Sequence, residues 1–351
     1  MPPHEDILLW HEPPICGGIP FRKWEVSLKA HVQSKLDAWY TDGRPMFPRE
    51  TLEDIHSQFQ DPMNVNGELI AVKGLDHWWY EFQLRTGDVV EYNGVPWRLD
   101  GPHIVYTPFE RLMEHAADRK PAIYYTISIA YKMMHADQGP TLIGSVETAA
   151  KMVGDEGEAW GKTDSGKGIT SKLSSLEVPP LKVTKIIGLA CGTFMTVQNP
   201  KETKRSLVQH AFLIILRELV ATDELGNGKP TCYVQDPAYI EDDRAVLTRM
   251  GIESLRDPAG FLEINESSIV FCCNPTTCVK SIIADIARPL ILIWNTVSDD
   301  PHKESSSYWN PDCPRVRKMI EEEYDMFDFP EDENFGEMAI YVRKNALVPE
   351  E

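Results

Sequence analysis

From Val183 onward, short apolar runs alternate with helical stretches, and this alternation limits the fold more than any other feature. Val183–Leu189 reads as a strand. Ser206–Val220 is apolar almost all round, with Leu207, Val208, Phe212, Leu213 and Leu216, so it is a helix buried on most sides. Thr231–Gln235 is a second strand, ended by Asp236-Pro237. Asp242–Met250 is helical, with Gly251 placed as its C-cap. Ile252–Leu255 is a short third strand and Ser267–Cys273 a fourth, ending at Asn274-Pro275. A helix over Thr276–Ala287 leads to a fifth strand, Leu290–Trp294, ended by Asn295, and Glu337–Val342 is the last. Strands that read as continuous apolar runs are covered on both faces, and their alternation with helices predicts a Rossmann-like, doubly wound, mostly parallel α/β sheet. Ligands of such sheets lie beyond the carboxyl ends of the strands. The candidate cofactor-binding residues are therefore Gly188, Gly192, Thr193, Asp236, Asn274 and Asn295, which would converge on one rim.

The first half reads differently. Six of the nine tryptophans fall before residue 100. Tyr80-x-Phe82-x-Leu84 alternates, Thr86-Gly87-Asp88 breaks, and Val90-x-Tyr92 and Val95-x-Trp97-x-Leu99 flank Asn93-Gly94, a strong hairpin signal. Residues 78–99 are thus expected to form a small antiparallel meander. Val26–Trp39, Pro108–Ala117 and Val146–Val153 have helical spacing. The expectation is an α+β N-terminal region over 1–178, packed as an extension on the α/β domain of 179–345. Trp78, Trp79 and Trp97 would either be core or wall an apolar substrate pocket at the rim.

Residues 154–180 are rich in Gly, Ser, Thr and Lys and close on Val178-Pro179-Pro180, which predicts an exposed loop or linker. Within them, Gly161–Lys167 matches the first seven positions of a P-loop. Gly168 stands where the magnesium-binding hydroxyl belongs, and the preceding acidic run is no buried strand, so a phosphate-binding loop is not expected there.

The formal net charge of -19 disfavours nucleic acid and anionic membranes as partners. The opening Met1–Asp6 is acidic and proline-rich, so no secretory leader is expected, and no stretch approaches the ~18 apolar residues of a membrane span. Seven cysteines, at 16, 191, 232, 272, 273, 278 and 313, fit no disulfide framework and point to a reducing compartment, the cytosol or nucleus. Cys272-Cys273-x4-Cys278 lacks zinc-site spacing, so buried free thiols and no metal are expected.

The turn Gly188-Leu-Ala-Cys-Gly192-Thr is not a dinucleotide fingerprint. It resembles the first glycine motif of methyltransferases that use S-adenosylmethionine, without the carboxylate at the strand end and with Phe194 in place of the second glycine. Asp236 can hold a ribose or a polar ligand, or simply form an Asp-Pro turn and helix cap. It follows Gly192 by 44 residues, against ~20 in the dinucleotide pattern. Asn295 orients a ligand or caps its strand. Cys191 is read as packing, and His210, inside the apolar helix, as a satisfied core histidine or one facing the rim.

The wider pattern is more specific. Val183–Phe194, the long apolar helix, Tyr233–Tyr239, Val246–Ile252, Ile269–Phe271 and Leu290–Ser298 together resemble the family named "sensitivity to red light reduced" (SRR-like domain), over about residues 181–298. The Asp-Pro element and closing Asn carry most of the likeness. Two positions depart: Cys273-Asn274-Pro275 stands where the family tends to carry Pro-His-Cys, and Trp294 where it has Gly. The resemblance implies a Rossmann-like fold and a regulatory or undefined biochemical role, with links to light signalling and housekeeping functions. The resulting expectation is a small-molecule- or nucleotide-binding protein. An enzyme using S-adenosylmethionine or a nicotinamide cofactor on an apolar substrate is the alternative, and a protein-interaction scaffold a third.

Overall fold

The computed structural model describes residues 9–11, 15–16, 19–20, 29–61, 64, 66–117, 125–135, 142–176, 183–196, 199–221, 228–298 and 309–344. The opening Met1–Asp6, the first residues of the helix expected from Val26 and the Val178–Pro180 stretch lie outside them. The chain divides into two compact units, Met1–Gly139 and Pro140–Glu351.

The first unit contains β1 (Leu9–His11), β2 (Ile15–Cys16), β3 (Ile19–Pro20), α1 (Lys29–Thr41), α2 (Arg49–Gln60), β4 (Leu69–Lys73), β5 (Trp79–Gln83), β6 (Val89–Tyr92), β7 (Val95–Tyr106), α3 (Phe109–Ala117) and β8 (Ile127–His135). They form two antiparallel sheets, ordered β1-β8-β7-β6 and β3-β2-β5-β4. Asn93 and Gly94 turn the β6–β7 hairpin with φ of 54° and 75°, the left-handed pair of a type I′ turn. The expected meander is split, because β5 leaves the hairpin and pairs with β4 in the other sheet. There Ile70 lies opposite Phe82 and Val72 opposite Tyr80, and all four are buried. These cross-strand apolar pairs offer β5 more than a continuation into the polar Thr86–Asp88 turn would. Tyr125 packs at a tilt against Tyr80 and edge-on against Phe82, and burial pushes its hydroxyl up to about 12.

The second unit contains α4 (Val146–Gly161), α5 (Asp164–Ser174), β9 (Lys185–Leu189), α6 (Pro200–Leu219), β10 (Thr231–Gln235), α7 (Glu241–Arg249), β11 (Glu253–Ser254), α8 (Ala259–Leu262), β12 (Ser268–Cys272), α9 (Val279–Ile286), β13 (Ile291–Asn295), α10 (Pro314–Glu323), β14 (Tyr324–Asp328) and β15 (Met338–Arg343). One mixed sheet runs β11-β10-β9-β12-β13-β15-β14. Its first five strands are parallel, and β15 is antiparallel to both neighbours. Alternate side chains explain why the strands look apolar throughout. Ile186, Val234, Ile269, Phe271, Ile293 and Ile340 join α4 and α6 in one core cluster. Ile187, Leu189, Val270, Leu292, Trp294 and Tyr341, which alternate with them, are equally buried.

The expected linker of 154–180 is instead mostly helical over its described residues, 154–176. Ser145 accepts from Thr148 N to cap α4, and Thr163 accepts from Gly166 N at 3.0 Å to cap α5. Ala149, Val153, Trp160, Ile169 and Leu173 supply a buried face that the Gly- and Lys-rich composition hid. The P-loop look-alike is the corner between these helices. A Cβ on Gly166 would lie 2.2 Å from Trp160 O, so glycine is needed there for close approach rather than for a phosphate. Trp160 Nε1 and Ser165 Oγ both donate to Asp332, at 2.8 and 2.6 Å. Burial raises this carboxyl, but donors from Ser165, Asn334 and Trp160 outweigh it and hold Asp332 below its ordinary value. Glu321 and Glu322 are exposed at the end of α10, and from the end of β14 onward Asp328, Glu331 and Glu333 are exposed while Asp332 is partly buried.

Candidate functional site

The strand order reverses direction at β9, since β10 and β11 lie to one side of it and β12 and β13 to the other. In open α/β sheets the crevice at the carboxyl ends beside such a reversal is where ligands sit. Two backbone features mark it. Ala190, directly after β9, has φ 56°, and Asn274, two residues after β12, has φ 48°. Among the described residues of the second unit, these are the non-glycine residues in left-handed conformation. Alanine gains no side-chain hydrogen bond there, so the surrounding contacts must hold the strain, which costs about 1–2 kcal/mol.

The turn after β9 is held from three sides. Ala190 N donates to Gln235 O at 3.1 Å. Gly192, at φ 74°, donates its N–H to Asp236 Oδ2 at 2.7 Å. Asp236 Oδ1 accepts from Ala238 N at 2.8 Å, so this carboxylate both forms the Asp-Pro turn and grips the glycine turn. Asp243 accepts from Thr193 Oγ1 (2.7 Å), Phe194 N (3.1 Å), Met195 N (3.1 Å) and Ile240 N (3.0 Å). Ser206 Oγ lies 2.9 Å from Cys191 O and 2.7 Å from Gly192 O, as donor.

On the other side of the reversal, Asn295 Oδ1 accepts from Asn274 N and Asn295 Nδ2 donates to Asn274 Oδ1, both at 2.8 Å. Asn295 is buried and Asn274 exposed. Asn295 thus positions Asn274 in its strained conformation, and Asn274 faces solvent.

Gly192, Thr193, Asp236, Asn274 and Asn295 all fall on the carboxyl ends of β9, β10, β12 and β13, with Thr193 turned inward to Asp243. Gly188 does not reach the rim. It lies within β9, and a Cβ there would meet Leu213 Cδ1 at 2.6 Å and Val234 Cγ1 at 3.1 Å. Gly188→Ala is expected to lower stability by about 2 kcal/mol through overpacking. Urea denaturation of the variant checks this.

The three tryptophans do not share a sheet. Trp78 and Trp79 are exposed, at 63% and 47%, beside β5, whereas Trp97 on β7 stacks on His135 with ring centroids 4.1 Å apart.

His210 is fully buried. Its Nδ1 lies 2.7 Å from Ser206 O and its Nε2 2.7 Å from Tyr239 Oη. A carbonyl only accepts, so Nδ1 carries the proton and Tyr239 donates to Nε2. Burial lowers the imidazole to about 4, despite the Ser206 carbonyl, and pushes the Tyr239 hydroxyl well up. Cys191 is likewise held as a thiol, first by burial and then by the charge of Asp236 and the neighbouring thiols. Neither is a ready acid, base or nucleophile at neutral pH. The described cysteines of this unit are free and buried.

Sequence reasoning passed over Asp243, Ser206 and the Lys280–Asp312 ion pair. Asp243 follows Glu241 and Asp242 in the first turn of α7, and only its third helical position marks it as a cap. Lys280 Nζ lies 2.5 Å from Asp312 Oδ1 with both side chains buried, and Asp312 Oδ2 accepts from Ser298 N at 3.0 Å. The partner lies 32 residues away, which no local pattern shows. Among the described residues, no group of three or more His, Cys, Asp or Glu is placed to hold a metal, and no helix is long and apolar enough to cross a membrane.

The second unit is therefore a mixed α/β domain whose parallel strands deliver a glycine turn, a carboxylate and an asparagine pair to one edge. The SRR1 domain family model matches residues 169–342, from within α5 to the end of β15. Over this stretch the chain is similar to the SRR-like family that its sequence pattern resembles. No curated protein and no solved structure matches the chain.

Proposed function

We propose that the second unit is a Rossmann-like, doubly wound domain that binds a small molecule or nucleotide at the carboxyl rim, in a regulatory role. The carrying observation is the pair of left-handed residues, Ala190 and Asn274, that flank the strand reversal. Strain of this kind gathers where a fold presents backbone to a ligand. Asp236, gripping the turn between them, is the polar anchor. Asn274 would meet the ligand from the β12 side, while Gly192 lets the backbone approach. Thermal unfolding of the whole protein against S-adenosylmethionine, S-adenosylhomocysteine, NAD(H), NADP(H), ATP and haem tests this. A ligand at a hundred times its dissociation constant should add about 2.7 kcal/mol. A rise that is lost in Asp236→Ala supports the rim; a flat response to every compound counts against it.

One observation favours the enzyme reading. The reversed β15 between β13 and β14 gives the order 3-2-1-4-5-7-6 within this sheet. It departs from the order 3-2-1-4-5-6 of dinucleotide-binding sheets, and the Gly188–Phe194 stretch resembles the first glycine motif of methyltransferases that use S-adenosylmethionine. Under this reading Asp236 would take the ribose. A stabilisation by S-adenosyl compounds but not by nicotinamides would favour it.

A further inference from the structure

The carboxyl end of β11 carries two cations that the described residues leave without a counter-charge. Arg244, on α7, is half-buried, and its Nη1 donates to Oγ of Ser254, the last residue of β11, at 2.7 Å. Other arginines of this unit end on carboxylates: Arg249, on the same helix, reaches Glu147 at 3.3 Å, and Arg288 and Arg315 reach Glu323 and Asp285 at 2.9 and 3.0 Å. Arg256 is exposed and follows Ser254 by two residues, the spacing that returns a side chain to the same side of an extended chain. Among the described residues, no carboxylate lies within ion-pair distance of either guanidinium, and the Arg256 side chain makes no hydrogen bond.

Two neighbouring guanidiniums repel, and burying one without a counter-ion adds a desolvation cost. Both effects register at Arg244, whose proton affinity is lowered first by burial and then by the charge of Arg256, with Glu241 opposing them in part. The chain has a net charge of -19, so carboxylates are not scarce. The backbone around the pair is nevertheless held in place. Leu255 N donates to Val234 O and Ala259 N to Arg256 O, both at 2.8 Å. Gln235 donates to Asp257 Oδ1 at 3.1 Å and accepts from Gly260 N at 2.7 Å. The two cations are thus kept together on a fixed turn, at the end of the strands where parallel α/β sheets bind ligands. Ser254 Oγ accepts from Arg244 and keeps its own proton to donate.

We infer that Arg244, Arg256 and Ser254 form an oxyanion site that takes the phosphate group of a small phosphorylated molecule. Two guanidiniums match the double charge of a phosphate monoester, and the hydroxyl gives a third contact, to an oxygen that a carboxylate lacks. The negative charge of the whole chain repels polyanions such as nucleic acid, so the ligand is a small molecule. The site lies at the β11 edge, with β10 between it and β9, and does not depend on Asp236.

Calorimetric titration of the full chain with inorganic phosphate, and with acetate at the same ionic strength, tests the inference. Phosphate is expected to bind in a single saturable step, about tenfold more tightly than acetate. Arg256→Ala should weaken phosphate about tenfold. Its unfolding midpoint in chloride should equal that of the wild type or rise, because the change removes an exposed side chain without contacts and a repulsion with it. Phosphate that binds Arg256→Ala as tightly as the wild type overturns the site, since the anion is then held elsewhere. Acetate that binds as tightly as phosphate overturns the ligand class. If phosphate does not bind the wild type, the inference fails outright, while the crevice beside β9 is left to its own test with Asp236→Ala.

Discussion

Asp243→Ala is expected to lower the unfolding free energy by about 4 kcal/mol, among the largest effects a single side chain can have. Asp243 is fully buried and accepts from three backbone N–H groups and the Thr193 hydroxyl. Alanine would strand those donors away from water, at about 1–3 kcal/mol for each that finds no new partner. The loss is below the simple sum because the carboxylate is itself expensive to bury: burial raises its proton affinity above the ordinary range, against the pull of Ile240, Thr193, Phe194 and Met195. Asp243→Asn keeps the shape and one acceptor and should lose about half as much. Urea denaturation followed by fluorescence and circular dichroism measures both. A loss under about 1 kcal/mol for alanine would mean that the turn after β9 is held by its other contacts.

Stability should also fall by about 3 kcal/mol as pH drops from 6.5 to 4, through His210 alone. Burial lowers the native imidazole to about 4 from its ordinary 6.5. The unfolded chain therefore takes up a proton first, and the native state resists protonation across that window. The stabilisation is complete above pH 6.5 and is lost progressively down to about 4. Asp243 works in the opposite sense lower in the window, because its raised native carboxyl binds a proton before the unfolded one does. Subtracting the pH profile of His210→Gln from that of the wild type isolates the histidine. Profiles of equal slope between pH 6.5 and 4 would show that the native imidazole titrates normally, contrary to its packing between Ser206 O and Tyr239.

The second unit was legible because its strands are covered on both faces and its turns are short. Asp236-Pro237, Asn274-Pro275 and Asn295 each end a strand close to where the pattern placed them. Gly251 stands at φ 72° after α7, as its cap position required. The elements misread are those whose burial depends on partners distant in sequence. Helix α5 looked like linker because its apolar residues are few, Ile169 and Leu173, and its anchor, Asp332, lies 167 residues from Ser165. Strand β5 was joined to the wrong neighbours because alternation gives a strand's faces but not its sheet. At the rim the residue types were visible, and their roles were less so. Gly188 serves packing against Leu213, Asn295 serves Asn274, and the role of Asp243 is hidden because its donors come from a turn about 50 residues earlier.

Amide hydrogen exchange, with and without the compound that most raises thermal stability, tests the rim as ligand site most directly. Binding there is expected to slow exchange in two stretches together, residues 190–196 after β9 and residues 236–239 after β10, with a smaller effect at Asn274. Protection confined to the first unit, or none at either stretch while the compound is bound, would contradict it.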